Sequence, residues 1–333
     1  MEAAMLRKLA VGVVAAVVVI SGAVYAAFQL SPWPSVLLIR YSFDQGGAEA
    51  AAAVAPHVPQ GVSERLGLSY APSDDDALFD LFAPVDAAGP LPAIMWVHGG
   101  GFVAGSRSDL AGYLKILAAR GYVTVAVDYT LAPEAGFPTP VRQVNAALAH
   151  IAANAADFKI DPQRIFLAGD SAGAHIVAQS ALVISNPDYA RRMQIEPGLP
   201  RESLRGLLLH CGPYDPGALN FEGPFADFMR TVLWSYVGTP DPRDPRVQQI
   251  SLPAHVTAAY PPFFVSVGNA DPLARQSVAF ADAARARGVE VDALFFADDY
   301  KPPLPHEYQF ILLTEAARLA LDRSLAFLAA RGG

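Results

Sequence analysis

Arg164-Ile165-Phe166-Leu167-Ala168-Gly169-Asp170-Ser171-Ala172-Gly173 is the stretch from which the fold can be read. Arg164–Ala168 is a short apolar run of strand length, and Ala172–Ile184 continues apolar for long enough to form a helix. A Gly-x-Ser-x-Gly pentapeptide set between strand and helix predicts a nucleophile elbow, a sharp turn that holds a serine hydroxyl above the end of a sheet. The small residues have steric reasons. Gly169 and Gly173 let strand and helix pass closely, and Ala172 leaves its backbone N–H accessible. The helix beginning there points the positive end of its dipole at the same place.

Upstream, the apolar run Ala93–Val97 leads straight into His98-Gly99-Gly100-Gly101-Phe102. Three consecutive glycines cost backbone entropy, so this loop is expected to need positive φ or a close approach of its amides to a ligand. Two of its N–H groups, with that of Ala172, would supply a three-donor oxyanion hole, and one such donor is typically worth about 2.7–4 kcal/mol. Further strands are expected at Arg65–Tyr70, Ala77–Ala83, Val123–Val127, Gly206–Leu209, Pro262–Val267 and Val291–Phe296. Helices are expected near Asp109–Arg120, Thr139–Ala156, Leu273–Arg287 and Tyr308–Ala330. Runs such as Ile94-Met95-Trp96-Val97 are apolar on both faces, as strands covered by helices on each side must be. Alternating strands and helices of this kind give an α/β fold with a mostly parallel sheet. Its catalytic groups should lie on loops at the carboxyl ends of the strands. Residues 214–260, rich in Pro, Gly and aromatics, break this rhythm and read as an insertion over the site, within a lid expected at roughly residues 185–260.

A serine hydroxyl is a weak nucleophile at neutral pH, so an imidazole must accept its proton and a carboxylate must orient that imidazole. Of seven histidines, His57 falls in a loose segment, His98 in the glycine loop, His150 and His175 within helices, and His210 and His255 near the lid. His306 follows the last strand and precedes the last helix, where the order Ser, acid, His places the base. For the acid, Asp271 in Val267-Gly268-Asn269-Ala270-Asp271-Pro272-Leu273 is favoured, although Asp before a helix is also a common cap. Asp299, closer to His306 along the chain, is the alternative.

These residues resemble the hormone-sensitive-lipase-like branch of the α/β-hydrolases, which includes bacterial carboxylesterases and arylacetamide deacetylase. The matching motifs are His98–Gly101, Asp128-Tyr129-Thr130-Leu131-Ala132-Pro133-Glu134, Gly169–Gly173, Asp271-Pro272-Leu273 and His306, over roughly residues 77–330. The resemblance implies Ser171, Asp271 and His306 as the catalytic triad and Gly100, Gly101 and Ala172 as oxyanion donors, with His98, Gly99, Gly169, Asp170 and Gly173 supporting them. Thr130 replaces the usual arginine, Ala174 a second glycine, and Ala274-Arg275 stands where an aspartate often occurs; none removes a catalytic group. In this family N-terminal helices usually cap the acyl pocket, and the lid of residues 185–260 is expected to rebuild part of that cap here. The implied activity is hydrolysis of short to medium acyl esters through an acyl-enzyme, with no metal or organic cofactor. An amidase or N-deacetylase would use the same groups. A ligand-binding protein on this scaffold, like the plant hormone receptor of the family, lacks the histidine that is present here.

Composition limits the remaining choices. The chain has 333 residues, 53% hydrophobic and 17% charged, enough for a large core. A net charge of −8 without any run of basic residues argues against a nucleic-acid partner. The single cysteine, Cys211, excludes an intrachain disulfide and reads as a buried small side chain rather than a reactive thiol. From Leu9 to Leu30 there is no charged residue, a length of about 33 Å as a helix against a hydrocarbon core of roughly 30 Å. Arg7 and Lys8 precede it, so residues 1–8 are expected in the cytoplasm, 9–30 as a signal-anchor helix, and the rest outside the cell membrane. Trp33 between Pro32 and Pro34 fits an interfacial aromatic. Cleavage of a secretory signal near Val24-Tyr25-Ala26 is the alternative. Residues 31–62, with Gly46-Gly47, read as linker or cap, and residues 63–333 as the hydrolase domain. The expected partners are the membrane and a small-molecule or lipid ester.

Overall fold

The computed structural model describes residues 2–332 apart from Asn220 and Pro224. Those two positions of the expected lid, Met1 of the expected cytoplasmic segment and Gly333 at the end of the hydrolase domain lie outside the described residues.

Among the described residues eight strands form one sheet, in the order β1 (Val62–Ser69), β2 (Leu78–Pro84), β4 (Val123–Val127), β3 (Leu91–Val97), β5 (Ile160–Asp170), β6 (Leu204–His210), β7 (Phe263–Val267) and β8 (Val291–Phe295). The first two strands run antiparallel, and from β4 to β8 every pairing is parallel. The order reverses around β3, which lies between β4 and β5, so a crevice opens beyond the carboxyl ends of the central strands.

Alternation along each strand sends neighbouring side chains to opposite faces. Ala93, Met95 and Val97 join a core with α4 (Thr139–Ala153), α5 (Ser171–Ser185) and α8 (Ala274–Arg285). Ile94 and Trp96 join the other, with α3 (Ala111–Ala118) and α9 (Glu315–Gly332). α5 is buried along its whole length, which explains why it is mostly apolar and carries no charged side chain, the His175 imidazole being uncharged in the core.

Of the two readings of residues 31–62, linker or cap, the structure takes the cap: α2 (Trp33–Val54) runs unbroken through Gly46-Gly47, followed by a 3-10 turn at Ala55–His57. Val36, fully buried, and Val54 dock this helix on the domain, and that packing overrides the roughly 1 kcal/mol that each glycine costs a helix. The region 185–260 is not one insertion, because β6 within it is a central strand of the sheet. What covers the site is the part after β6, centred on α7 (Ala226–Val237), whereas α6 (Pro187–Met193) follows α5 across a break at the extended Asn186, which caps it. The last expected helix is divided: Tyr308–Phe310 forms a 3-10 turn, and α9 begins only at Glu315.

Ahead of all this, α1 (Glu2–Leu30) is a separate helix. Among the described residues it alone is long and apolar enough to cross a membrane, over Ala4–Leu30, and no part of that stretch is buried against protein.

Candidate active site

β5 ends at Asp170 and α5 starts at the very next residue, so Ser171 occupies the turn itself. Its φ of +49° is the left-handed conformation expected of a residue forced into a strand-to-helix elbow. The close crossing depends on Gly173, where an added Cβ would lie 2.0 Å from the Val97 carbonyl oxygen. No side chain fits there.

His306 Nε2 is 3.0 Å from Ser171 Oγ, and His306 Nδ1 is 2.8 Å from Asp271 Oδ2. An ionised carboxylate can only accept, so Nδ1 carries the proton and Nε2 is left to accept from the serine hydroxyl. The other Asp271 oxygen accepts from the Leu273 N–H at 2.7 Å, which fixes the turn ahead of α8; Leu273, not Asp271, occupies the N-cap position, so the plain capping reading of Asp271 does not hold. Asp271 and not Asp299 reaches His306, because the loop after β7 is tied to the loop before His306. Leu304 donates to Asn269 Oδ1 at 2.9 Å and accepts from the Ala270 N–H at 3.0 Å. At Gly268 an added Cβ would lie 2.4 Å from the Leu304 carbonyl oxygen.

The glycine loop after β3 lies beside the serine. Gly100 and Gly101 have φ of +96° and +61°, as a three-glycine loop required. Among the described residues, neither their N–H groups nor that of Ala172 is taken up by a protein acceptor. The loop is held from behind. Asp170 accepts from Trp96 Nε1 at 2.7 Å and from the Gly99 N–H at 2.9 Å. His98 stacks on Tyr129 at 4.5 Å, and the Tyr129 hydroxyl donates to the His98 and Gly99 carbonyls. Asp128 binds Arg107, just past the loop, through backbone and side chain. Glu134 pairs with Arg40 of α2 at 2.6 Å. The segment Asp128–Glu134 thus braces the glycine loop and fastens the cap, and Thr130, bonded to Gln143, leaves that bracing intact.

Two residues beside His306 were not read as site residues from the sequence. Cys211, just past β6 with φ of +46°, is buried as expected, but its sulfur lies with ligand atoms of Asp271 and His306 inside 4.8 Å of one another. Its position at the carboxyl end of a strand, like that of Asp271, was the available signal. This sulfur, nitrogen and oxygen set could bind a soft cation only by displacing the proton shared by His306 and Asp271. Glu307 lies 3.7 Å from His306 Nε2 and also borders Asp170.

Burial by itself lowers the His306 pKa, but the Cys211 sulfur and the hydrogen bond to Asp271 outweigh it and hold the imidazole well above its ordinary value. Burial pushes the Cys211 thiol up to about 11, so it is uncharged at neutral pH and Asp271 is then the effective partner. Burial, then the neighbouring Glu307, raises the Asp170 carboxyl well above the usual range. His175 and His210 are driven down by burial, to about 4 and about 3, and belong to the core.

A cavity of about 50 Å³ adjoins Ser171, Gly101 and Ala172 and is walled by Phe102, Phe228, Val232 and Tyr236. A larger one, about 350 Å³, lies across the glycine loop between α2 and α3 and borders Asp170 and Glu307. Only the smaller contains the serine. The cap is therefore shared, with α7 over the small cavity and α2 over the larger.

A family model described as alpha/beta hydrolase fold matches residues 94–300. An esterase of Gibberella moniliformis is 29% identical over 210 residues, 61% of this chain and 64% of that protein. Esterase LipQ of Mycobacterium tuberculosis is 27% identical over 247 residues, 70% of this chain and 56% of the relative. The chain thus spans less than two thirds of the length of these curated relatives. Esterase B of Lactobacillus rhamnosis superposes with a TM-score of 0.76 at 21% identity, covering 89% of this chain and 96% of that one, a likeness of fold.

Proposed function

Since the chain belongs to the alpha/beta hydrolase fold family, we propose that it is a serine esterase in which Ser171, His306 and Asp271 form the catalytic triad. The observation that carries this reading is the placement of one imidazole between the Ser171 hydroxyl at 3.0 Å and the Asp271 carboxylate at 2.8 Å. Ser171 Oγ attacks the ester carbonyl as its proton passes to His306 Nε2. The N–H groups of Gly100, Gly101 and Ala172 receive the oxyanion. Collapse breaks the bond to the alcohol oxygen, which takes the proton from His306 and leaves. Water then gives a proton to His306 and attacks the acyl-enzyme, and Ser171 regains its proton as the acid departs. Asp271 keeps the imidazole in the required tautomer and stabilises it when charged.

Short acyl groups suit the site best. The cavity at Ser171, about 50 Å³ and almost wholly apolar, is far smaller than the roughly 300–1,000 Å³ that encloses a larger ligand. α1 is read as a signal-anchor that leaves the hydrolase domain outside the cell, on the strength of its length and of Arg7 and Lys8 ahead of it. The purified full chain should hydrolyse p-nitrophenyl butyrate, and Ser171→Ala should lower kcat by at least about 10⁴. Equal turnover by variant and parent would remove the reading.

A further inference from the structure

α2 has two unlike faces. Toward the domain, Val36 is fully buried, Arg40 donates to the Val103 carbonyl at 2.7 Å and pairs with Glu134, and Phe43 stacks on Phe228 at 6.3 Å. On the other side Leu37, Leu38 and Tyr41 are 59%, 62% and 68% exposed. Fully covering a large apolar side chain is worth about 1.5–3 kcal/mol, so leaving three together in water is costly. Past Tyr41 the same side turns polar, with Asp44 and Gln45 exposed. The apolar surface is therefore confined to the end of α2 that follows α1, and only Ser31 and Pro32 separate the two helices.

We propose that the first two and a half turns of α2 rest on the bilayer that α1 spans, with Leu37, Leu38 and Tyr41 sunk in the lipid headgroup layer; this rests on reading α1 as a membrane span. Lipid is the occupant because the patch continues directly from a 27-residue helix long and apolar enough to cross a membrane, none of whose residues is buried against protein. An interfacial helix buries its apolar face about 5–10 Å into the boundary layer, a depth that side chains of this size reach. Trp33 at the junction, 40% exposed, suits the same layer. Between Leu9 and Glu64 the sole Arg or Lys is Arg40, which is turned inward on Glu134, so the contact needs no anionic lipid.

The test uses the full chain in phosphatidylcholine nanodiscs. A fluorophore is attached to a cysteine introduced singly by Val18→Cys, Leu38→Cys, Tyr41→Cys or Val278→Cys, the native Cys211 being buried. Nitroxide lipids quench at headgroup depth or deep in the acyl region. The Leu38 and Tyr41 probes should lose at least about threefold in emission to the headgroup nitroxide, with the Val278 probe on α8 unchanged and the Val18 probe quenched by the deep one. Quenching at Leu38 and Tyr41 no greater than at Val278, with Val18 quenched, overturns the docking and leaves the anchor standing. An unquenched Val18 overturns both. Ester hydrolysis in the same samples reports separately on Ser171.

Discussion

His306 stands between two carboxylates that both favour its charged form but face different ring nitrogens. Asp271, on Nδ1, fixes the tautomer; Glu307, 3.7 Å from Nε2, faces the nitrogen that must stay free for Ser171. Glu307 also borders Asp170, whose raised pKa favours the protonated form that can share a proton with it. The pH dependence follows from His306. A protonated imidazole cannot accept the serine proton, so kcat/KM falls as pH drops through the His306 pKa. Because that pKa is raised above 6.5, the acid limb of kcat/KM on a short ester should have its midpoint above 6.5. In Asp271→Asn the midpoint should fall, and kcat should drop by about 10⁴; a midpoint that does not move in Asp271→Asn contradicts the pairing of Asp271 with His306. The residues joined here were named from sequence because chain order and position after a strand restrict an acid and a base to few candidates. Cys211 obeys the same positional rule, but a lone cysteine behind an apolar run carries no mark of its neighbours.

At the scale of elements, α7 sets the acyl cavity. An added Cβ at Gly101 would lie 3.0 Å from both Phe228 and Val232, so this helix is pressed against the glycine loop. Phe228→Ala should open the wall and move the preferred acyl chain to longer lengths. Each further methylene then buried is worth about 0.8 kcal/mol, about fourfold in kcat/KM. A p-nitrophenyl series from C2 to C12 measures the shift, and an unchanged optimum would detach this cavity from acyl selection. β4 and the start of α4 fall where sequence puts them, since apolar periodicity and Pro140 in the first turn are local signals. α2 was not legible, because Gly46-Gly47 reads as a break until the surface beneath it is known. β6 was legible as a strand at Gly206–Leu209, but that it divides residues 185–260 and leaves only the later part over the site depends on how the sheet is assembled.

For the whole molecule, the membrane segment and the hydrolase domain make separate demands. If α1 is an uncleaved anchor, alkaline carbonate washing should leave the full chain in the membrane pellet, since removing an apolar span from lipid exposes it to water. Appearance of a chain shortened by about 26 residues in the soluble fraction would instead support signal cleavage near Ala26. The sequence by itself determined the parallel α/β architecture, the elbow serine, the glycine loop and the apolar N-terminal helix, because each rests on short-range patterns of steric size and hydrophobic period. Only the tertiary structure decided the partner of His306, the sulfur beside it, the division of the cap between α2 and α7, and the side of α2 left bare. Those depend on loops meeting across the sheet and on which faces find cover, and no local pattern encodes either.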